Sequence, residues 1–419
     1  MQRMAQKTGS ADLPLHSGRV PPWLAVRMSK LGAVICEAIV HHYGRDQFLE
    51  RMAHPFWFQS FGAVMGMDWH SSGITTSVIG ALKRGLATRQ HELGIYVCGG
   101  RGKHSRKTPD ELTALGMRVG FDAVSLVRAS RLVAKVDSAA VQDGFDLYLH
   151  GFIVSSDGNW TVVQQGMNGD ARQARRYHWH SQNLTSFLDA PHSAIEGTNQ
   201  GQIINLTDVR AQRSRSAQLE LLLGSEVTGI VSAFERITEA STEQPTLPHL
   251  FMPDHHEVRS SNVFIRRLHG TLAAAAEQGP RDFEELLLTS GVGARTVDSL
   301  AMVAEVVHGT PYRFQDPARF SLAHGGKDRH PYAVPIKVYD ETIRVLKSAI
   351  QKAKLGREEE LDAIRRLDIQ ARRLEQVTTG PSFEAYVTKE QDRSVSLGGR
   401  SVFGIEQVSA PTSKRSKSG

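Results

Sequence analysis

The sequence predicts an α+β fold, mainly helical, with one small antiparallel sheet and a helix-hairpin-helix region behind it. Three observations carry that reading. Apolar residues recur at helical spacing from about residue 20 to 90, and again from about 208 onward. Between these stretches, residues 94–180 contain short β-type runs around the turn Ser156-Asp157-Gly158-Asn159. Finally, Phe283–Val307 reads as two amphipathic helices joined by Ser290-Gly291-Val292-Gly293.

Taken in order, Pro21-Pro22 open a helix over Trp23–Val40, because proline is tolerated in a first turn. The segment Pro55–Gly66 is rich in aromatics, and Ser71-Ser72 are placed to cap a helix over Ile74–Leu86. Gly94–Cys98 reads as a buried strand that runs into the loop Gly99–Lys107. Leu147–Val154 and Trp160–Gln164 form a hairpin, with Tyr177–His180 as a third strand. Asp208–Ile237 gives one or two helices, and Thr242–Pro253, with three prolines, reads as a linker. Helices return over 258–309, broken at Gly279-Pro280 and at Gly291–Gly293, and a long charged helix is expected over Tyr339–Val377. The expected units are therefore an α+β domain over 1–200, a helical domain over 201–345, a long helix over 346–380 and a disordered basic tail over 381–419.

Composition narrows the function classes. The chain has 419 residues, 40% hydrophobic and 22% charged, as soluble globular proteins do. No apolar run reaches the ~20 residues of a membrane helix, and the start lacks the apolar core of a secretory signal. Cys36 and Cys98 are too few for a disulfide framework. A cytoplasmic protein without a membrane partner is expected. Fifty Lys+Arg against 44 Asp+Glu leave a net +6, which permits a polyanionic partner without demanding one. The distribution is more telling: Arg101, Lys103, Arg106 and Lys107 share one glycine-rich loop, and Arg172, Arg175 and Arg176 form a second group.

The glycine turn at 290–293 resembles the helix-hairpin-helix motif of DNA repair and replication proteins. Glycines allow a turn that other residues would strain, and Val292 can plug between the helices. Gly293 and the amides after it stand at a helix N-terminus, where free N–H groups attract phosphate. Arg295 and Thr296 lie in the same first turn. Such a contact holds a nucleic acid without reading its sequence. The same pattern also suits a tight helical connection that binds nothing. In glycosylases of the helix-hairpin-helix class an aspartate follows the second helix, and Asp316 occupies the matching place here. Arg295 stands where lyase members carry a lysine, and Asp316 could equally cap a helix begun by Pro317.

Other clusters are candidates for chemistry. The loop Gly99–Lys107 packs three glycines and four cations into nine residues, suited to phosphate, although it does not follow the Walker pattern. Lys135, Asp137 and Asp143 precede the first hairpin strand, as the acids and lysine of a Mg²⁺- or Mn²⁺-dependent nuclease do at a sheet edge. Asp68 with His70, and His178 with His180, bring together metal-type ligands. The run His324–Pro331 offers Lys327 as a phosphate ligand or amine, and Asp328 with His330 for acid–base work. Each cluster is also compatible with a solvated surface.

Across Lys7 to about residue 345 the chain resembles domain-of-unknown-function family 763. The carrying segments are Thr8–His16, Asp68–Gly73, Gly99–Pro109, Ala134–Asp137 with Gln142–Gly144, Val163–Met167, Arg175–Trp179 and Phe320–Tyr332. This resemblance implies that these segments form one unit and implies nothing about chemistry. The function expected from the residues is a DNA-binding repair or processing hydrolase, a nuclease before a glycosylase or lyase, with RNA left open as a substrate. The rival reading is a non-catalytic nucleic-acid-binding or adaptor protein.

Overall fold

The computed structural model describes residues 22–67, 73–170, 173–243 and 262–318, with positions 344, 348, 400–401 and 404–405. Five helices come first: α1 (Pro22–Tyr43), α2 (Arg45–Ala53), α3 (Pro55–Val64), α4 (Ile74–Leu86) and the single turn α5 (Gln90–Leu93). His54 separates α2 from α3 and accepts a hydrogen bond from the Trp57 amide at 3.4 Å, so the imidazole caps α3. Burial pushes its pKa down to about 4, which keeps the ring neutral and able to accept. Helix α4 has the expected bounds, but Gly73 is its N-cap and supplies no side-chain bond; Ser71 and Ser72 lie outside the described residues.

The chain then alternates. Strand β1 (Ile95–Arg101) leads through a 3₁₀ turn (Gly102–Lys107) to α6 (Thr108–Val119) and α7 (Ala123–Lys135). These two helices lie inside a stretch that the sequence assigns to the sheet. Asp122 caps α7, accepting from the amides of Val124 and Ser125 at 3.1 Å each. After a π-helical turn (Val136–Ala140) come β2 (Val141–Gln142), β3 (Asp146–Ser155), β4 (Trp160–Asn168), β5 (Gln173–His180), β6 (Ala194–Glu196) and β7 (Gln202–Asn205). Helices α8 (Gln212–Gly224), α9 (Val227–Glu243), α10 (Asn262–Gln278), α11 (Phe283–Leu288) and α12 (Ala294–His308) precede β8 (Arg313–Gln315).

The main sheet is antiparallel, in the order β1-β3-β4-β5-β6. Helices cover both of its faces, so apolar side chains fill alternate positions on each. Ile95, Val97, Leu149, Ile153 and Val163 join the core of α1–α4 with Ile35, Phe58, Phe61 and Leu82. Tyr96, Phe152, Trp160, Val162, Tyr177 and Trp179 face the opposite way, onto Leu112, Val133, Leu286 and Leu300. This second core contains residues from Tyr96 to Ala318. The expected boundary at residue 200 therefore runs through one core and does not divide two domains. A second sheet, β2-β7-β8, has no counterpart among the sequence-based expectations, because strands of two to four residues are too short to show a period. The linker expected over 242–253, the long helix over 339–377 and the basic tail fall largely outside the described residues.

Candidate nucleic-acid interface

Asp282 caps α11 by accepting from the Glu285 amide at 2.8 Å. The turn after α11 needs glycine at one position: Gly291 has φ +85°. Val292 is 1% exposed and fills the space between the helices. Gly293 is the N-cap of α12 in extended backbone and offers no side-chain cap. Two side chains hold the turn from inside. Lys135 Nζ donates to the Val292 carbonyl, and Gln142 Nε2 donates to the Ala294 carbonyl at 2.8 Å. Gly291 and Arg295 are exposed and Gly293 is half-buried. Thr296 is buried and faces the core, so of the four residues expected to touch nucleic acid here it is the one turned away.

The glycine-cation loop is fixed where it leaves the sheet. Gly99 has φ +81°, and a Cβ there would stand 2.2 Å from the His150 carbonyl oxygen. Its amide donates to Glu111 Oε2 and its carbonyl accepts from Lys83 Nζ, both at 2.8 Å, while Lys83 and Glu111 pair at 2.7 Å. Ser105 Oγ donates to the Gly102 carbonyl at 2.6 Å, tightening the 3₁₀ turn. Arg101, Lys103, Arg106 and Lys107 all project into solvent. Among the described residues none of the four meets a carboxylate in an ion pair. Arg101 lies over the Tyr148 ring at 5.7 Å, at the point where the β3–β4 register shifts.

The acids expected at the sheet edge are inside the protein. Asp137 is fully buried; it accepts from Trp179 Nε1 at 2.9 Å, from Gln164 Nε2, and pairs with His192. Gln164 thus presents its oxygen to His150 Nδ1 at 2.6 Å, which leaves His150 Nε2 to accept from Ser130 Oγ at 3.0 Å. Burial lowers the His150 pKa, consistent with that neutral ring. Asp143 and Asp316 flank Arg175, whose Nη1 is 2.7 Å from Asp143 Oδ2 and whose Nη2 is 2.7 Å from Asp316 Oδ2. Tyr177 Oη donates to Asp143 at 2.7 Å, and the amides of Gln200 and Ala318 donate to Asp316 at 2.7 and 2.9 Å. Desolvation raises the Asp143 pKa against the pull of Arg175.

These placements correct several expectations. Asp137, Asp143 and Asp316 have their acceptor positions occupied by protein donors and no surface through which to reach a substrate. A guanidinium already sits where a cation would lie between Asp143 and Asp316. Lys135 is not grouped with these acids but points to the helical hairpin. His178 and His180 share a face of β5, yet His178 Nε2 accepts from Arg176 Nε at 2.9 Å and His180 Nδ1 meets Thr161 Oγ1 at 3.1 Å. Burial and Arg176 hold the His178 pKa well below the ordinary value. No group of three or more His, Cys, Asp or Glu arranged for a metal occurs among the described residues. Asp68, His70, Lys327, Asp328 and His330 lie outside the described residues. Trp179, His192, Ser130 and Glu196 join these networks without any local signal in the sequence, because their partners are distant in the chain.

Of the segments quoted for the family resemblance, those at 99–109, 134–137, 142–144, 163–167 and 175–179 are described, and they are linked across or beside the main sheet. Gly100 pairs with His150, His150 bonds Gln164, Gln164 bonds Asp137, and Arg175 bonds Asp143. A family model described as Protein of unknown function (DUF763) matches residues 9–334. The chain belongs to the DUF763 family. The match takes in both the cation loop and the helical hairpin, so in DUF763 terms they are parts of one unit. No curated protein and no solved structure matches the chain. No helix among the described residues is long and apolar enough to cross a membrane.

Proposed function

We propose that this DUF763 protein binds DNA, as a component of repair or processing, by gripping the phosphate backbone. The observation that carries the reading is the cation loop: four exposed cations, none paired with a carboxylate among the described residues, on a turn pinned to a rigid sheet. Unpaired cations held in a fixed geometry gain most from a polyanion, because binding releases its counterions. The helical hairpin, with Gly291, Gly293 and Arg295 at or near the surface, supplies a second phosphate contact. Neither contact reads bases, so the binding is independent of sequence.

Hydrolysis through Asp137, Asp143 or Asp316 is not part of this proposal, since all three are engaged within the protein. A Mg²⁺- or Mn²⁺-dependent nuclease would have to use other residues: Asp68 and His70 remain from the sequence as metal-ligand candidates, and Lys327, Asp328 and His330 as catalytic ones. A reducing, cytoplasmic setting suits the two buried free thiols, Cys36 and Cys98; burial pushes Cys98 up to about 12. The test is binding of labelled duplex DNA, single-stranded DNA and RNA by fluorescence anisotropy across a salt series, with and without Mg²⁺ or Mn²⁺. Affinity for DNA that falls steeply with salt, and weakens in Gly291→Ala/Gly293→Ala, is the expected result. Absence of binding at low salt would overturn the proposal.

A further inference from the structure

The cation loop and the helical hairpin lie at the same end of the α6–α7 pair. These helices are joined by residues 120–122 alone and so run antiparallel. The start of α6, where the loop ends, therefore stands beside the end of α7, where Lys135 reaches the hairpin. A chain of contacts bounds the gap. Gly100 pairs with His150 across β1 and β3, His150 Nε2 meets Ser130 Oγ at 3.0 Å, and Ser130 stands five residues before Lys135. At the spacing of paired strands and ~1.5 Å of helix rise per residue, the root of the loop and the turn at Val292 are within roughly 30 Å. That is less than one helical turn of B-DNA, about 34 Å.

Exposed cations continue around the hairpin. Arg128, Arg131 and Lys135 are three and four residues apart and share a stripe of α7. The outer two define where the stripe faces: Arg128 pairs with Glu284 of α11 at 2.8 Å, and Lys135 donates to the Val292 carbonyl. Arg131, between them, is exposed. On α10, Phe264, Arg267 and Thr271 form a second stripe at the same spacing. Arg295 lies over the Phe264 ring at 5.6 Å, and a Cβ on Gly291 would meet Thr271 at 3.4 Å. Arg267 stands between these two contacts and is exposed. None of Arg131, Arg267 and Arg295 meets a carboxylate in an ion pair among the described residues. The acids beside them already have partners, Glu284 in Arg128 and Glu285 in Arg281.

We propose that the cation loop and the rim of the hairpin form one track for a single DNA duplex, with Arg131 and Arg267 as its phosphate-binding residues beside Arg295. The inference rests on the DNA-binding reading above. Once the loop holds one phosphate, the rim meets another on the same duplex as an intramolecular event, so each contact strengthens the other.

The full chain is titrated with a labelled duplex of about 12 base pairs, just over one helical turn, and the complexes are weighed by native mass spectrometry. One duplex per chain is expected. Arg131→Gln/Arg267→Gln should weaken affinity about tenfold near 0.1 M salt and make the salt dependence shallower by about 1.8, as two lost phosphate contacts require. Its melting temperature should stay near that of the unaltered protein. Arg131→Lys/Arg267→Lys should keep most of the affinity, because lysine also holds phosphate as a point charge. Should the glutamine variant fold poorly, the stoichiometry of the unaltered protein decides. Two duplexes on one chain, or an unchanged salt slope in the folded glutamine variant, overturns this inference and leaves DNA binding standing. Failure to bind any DNA overturns the proposed function itself, and this inference with it.

Discussion

Two groups of cations in this chain look alike in the sequence and live in opposite surroundings. Arg175 and Arg176 are 0% and 3% exposed, and each meets a carboxylate: Arg175 with Asp143 and Asp316, Arg176 with Glu196. Arg101, Lys103, Arg106 and Lys107 stand in solvent with no carboxylate partner among the described residues. The buried group also covers aromatic rings, Arg175 over Phe145 at 4.6 Å and Arg176 over Phe58 at 4.8 Å. Its charges are neutralised within the fold, whereas those of the loop are not neutralised by any carboxylate among the described residues. A cation's role here is set by what neutralises it.

The strongest way to break the comparison is to remove a buried cation. Arg175→Met leaves Asp143 and Asp316 facing each other without a countercharge. It should cost about 3–5 kcal/mol of stability in chemical denaturation. A loss near that of a surface substitution would show that the buried pairs are dispensable.

Asp298 sharpens the same point from the acid side. It is buried in α12, its Oδ1 has no hydrogen-bond partner, and desolvation raises its pKa from 3.8 to about 6 against a pull from Arg313. The raised value means that the fold favours the protonated form. Below about pH 4 the folded and unfolded chains are both protonated and the group is neutral to stability. From there to about pH 6 the unfolded chain ionises first and the fold loses up to roughly 3 kcal/mol. Asp298→Asn should therefore stabilise the protein at pH 8 and do little at pH 4, as read from denaturation midpoints at the two pH values. An equal effect at both would show that the carboxyl is already well compensated.

Removal of the exposed group should move binding and not folding. Arg101, Lys103, Arg106 and Lys107 changed together to Gln should weaken DNA affinity about tenfold or more near 0.1 M salt. The salt dependence should become shallower by about 0.9 for each phosphate that the variant no longer neutralises. A changed melting temperature with an unchanged salt slope would assign these cations to the fold instead. The smallest expected effect separates the two hairpin glycines. Gly291→Ala places a side chain at φ +85° and should cost about 1 kcal/mol, whereas Gly293 has extended backbone and open space around its Cβ position, so Gly293→Ala should stay within about 0.5 kcal/mol. Equal costs, measured by thermal unfolding, would mean that the turn is not shaped as described.

What the sequence made legible was local. The bounds of α4 follow from its helical period, and the β3–β4 hairpin from Asp157-Gly158, where Gly158 has φ +84°. The breaks at Gly279 and Gly291 were visible because both glycines take positive φ, a requirement written in one residue. The acids were not legible. Asp143 and Asp316 read as surface chemistry because nothing near them in the chain announces Arg175. Lys135 stands beside Asp137 in the sequence, yet the helical backbone between them turns the lysine to the hairpin and the aspartate to Trp179 and His192. The three-stranded sheet joins segments about 60 and 110 residues apart, and no two-residue strand signals a partner at that range.

The bond between Arg175 and Asp316 has a consequence for how the chain is made. Its two ends are 141 residues apart. At synthesis rates of about 5–20 residues per second, the guanidinium waits roughly 7–28 s for its second carboxylate to be polymerised. Once β6 has been made the main sheet can hydrogen-bond all its strands, yet the second sheet still lacks β8 and Arg175 lacks one of its two anions. A growing chain that pauses before residue 316 would therefore present the ribosome and its attendant chaperones with a paired sheet and an open core.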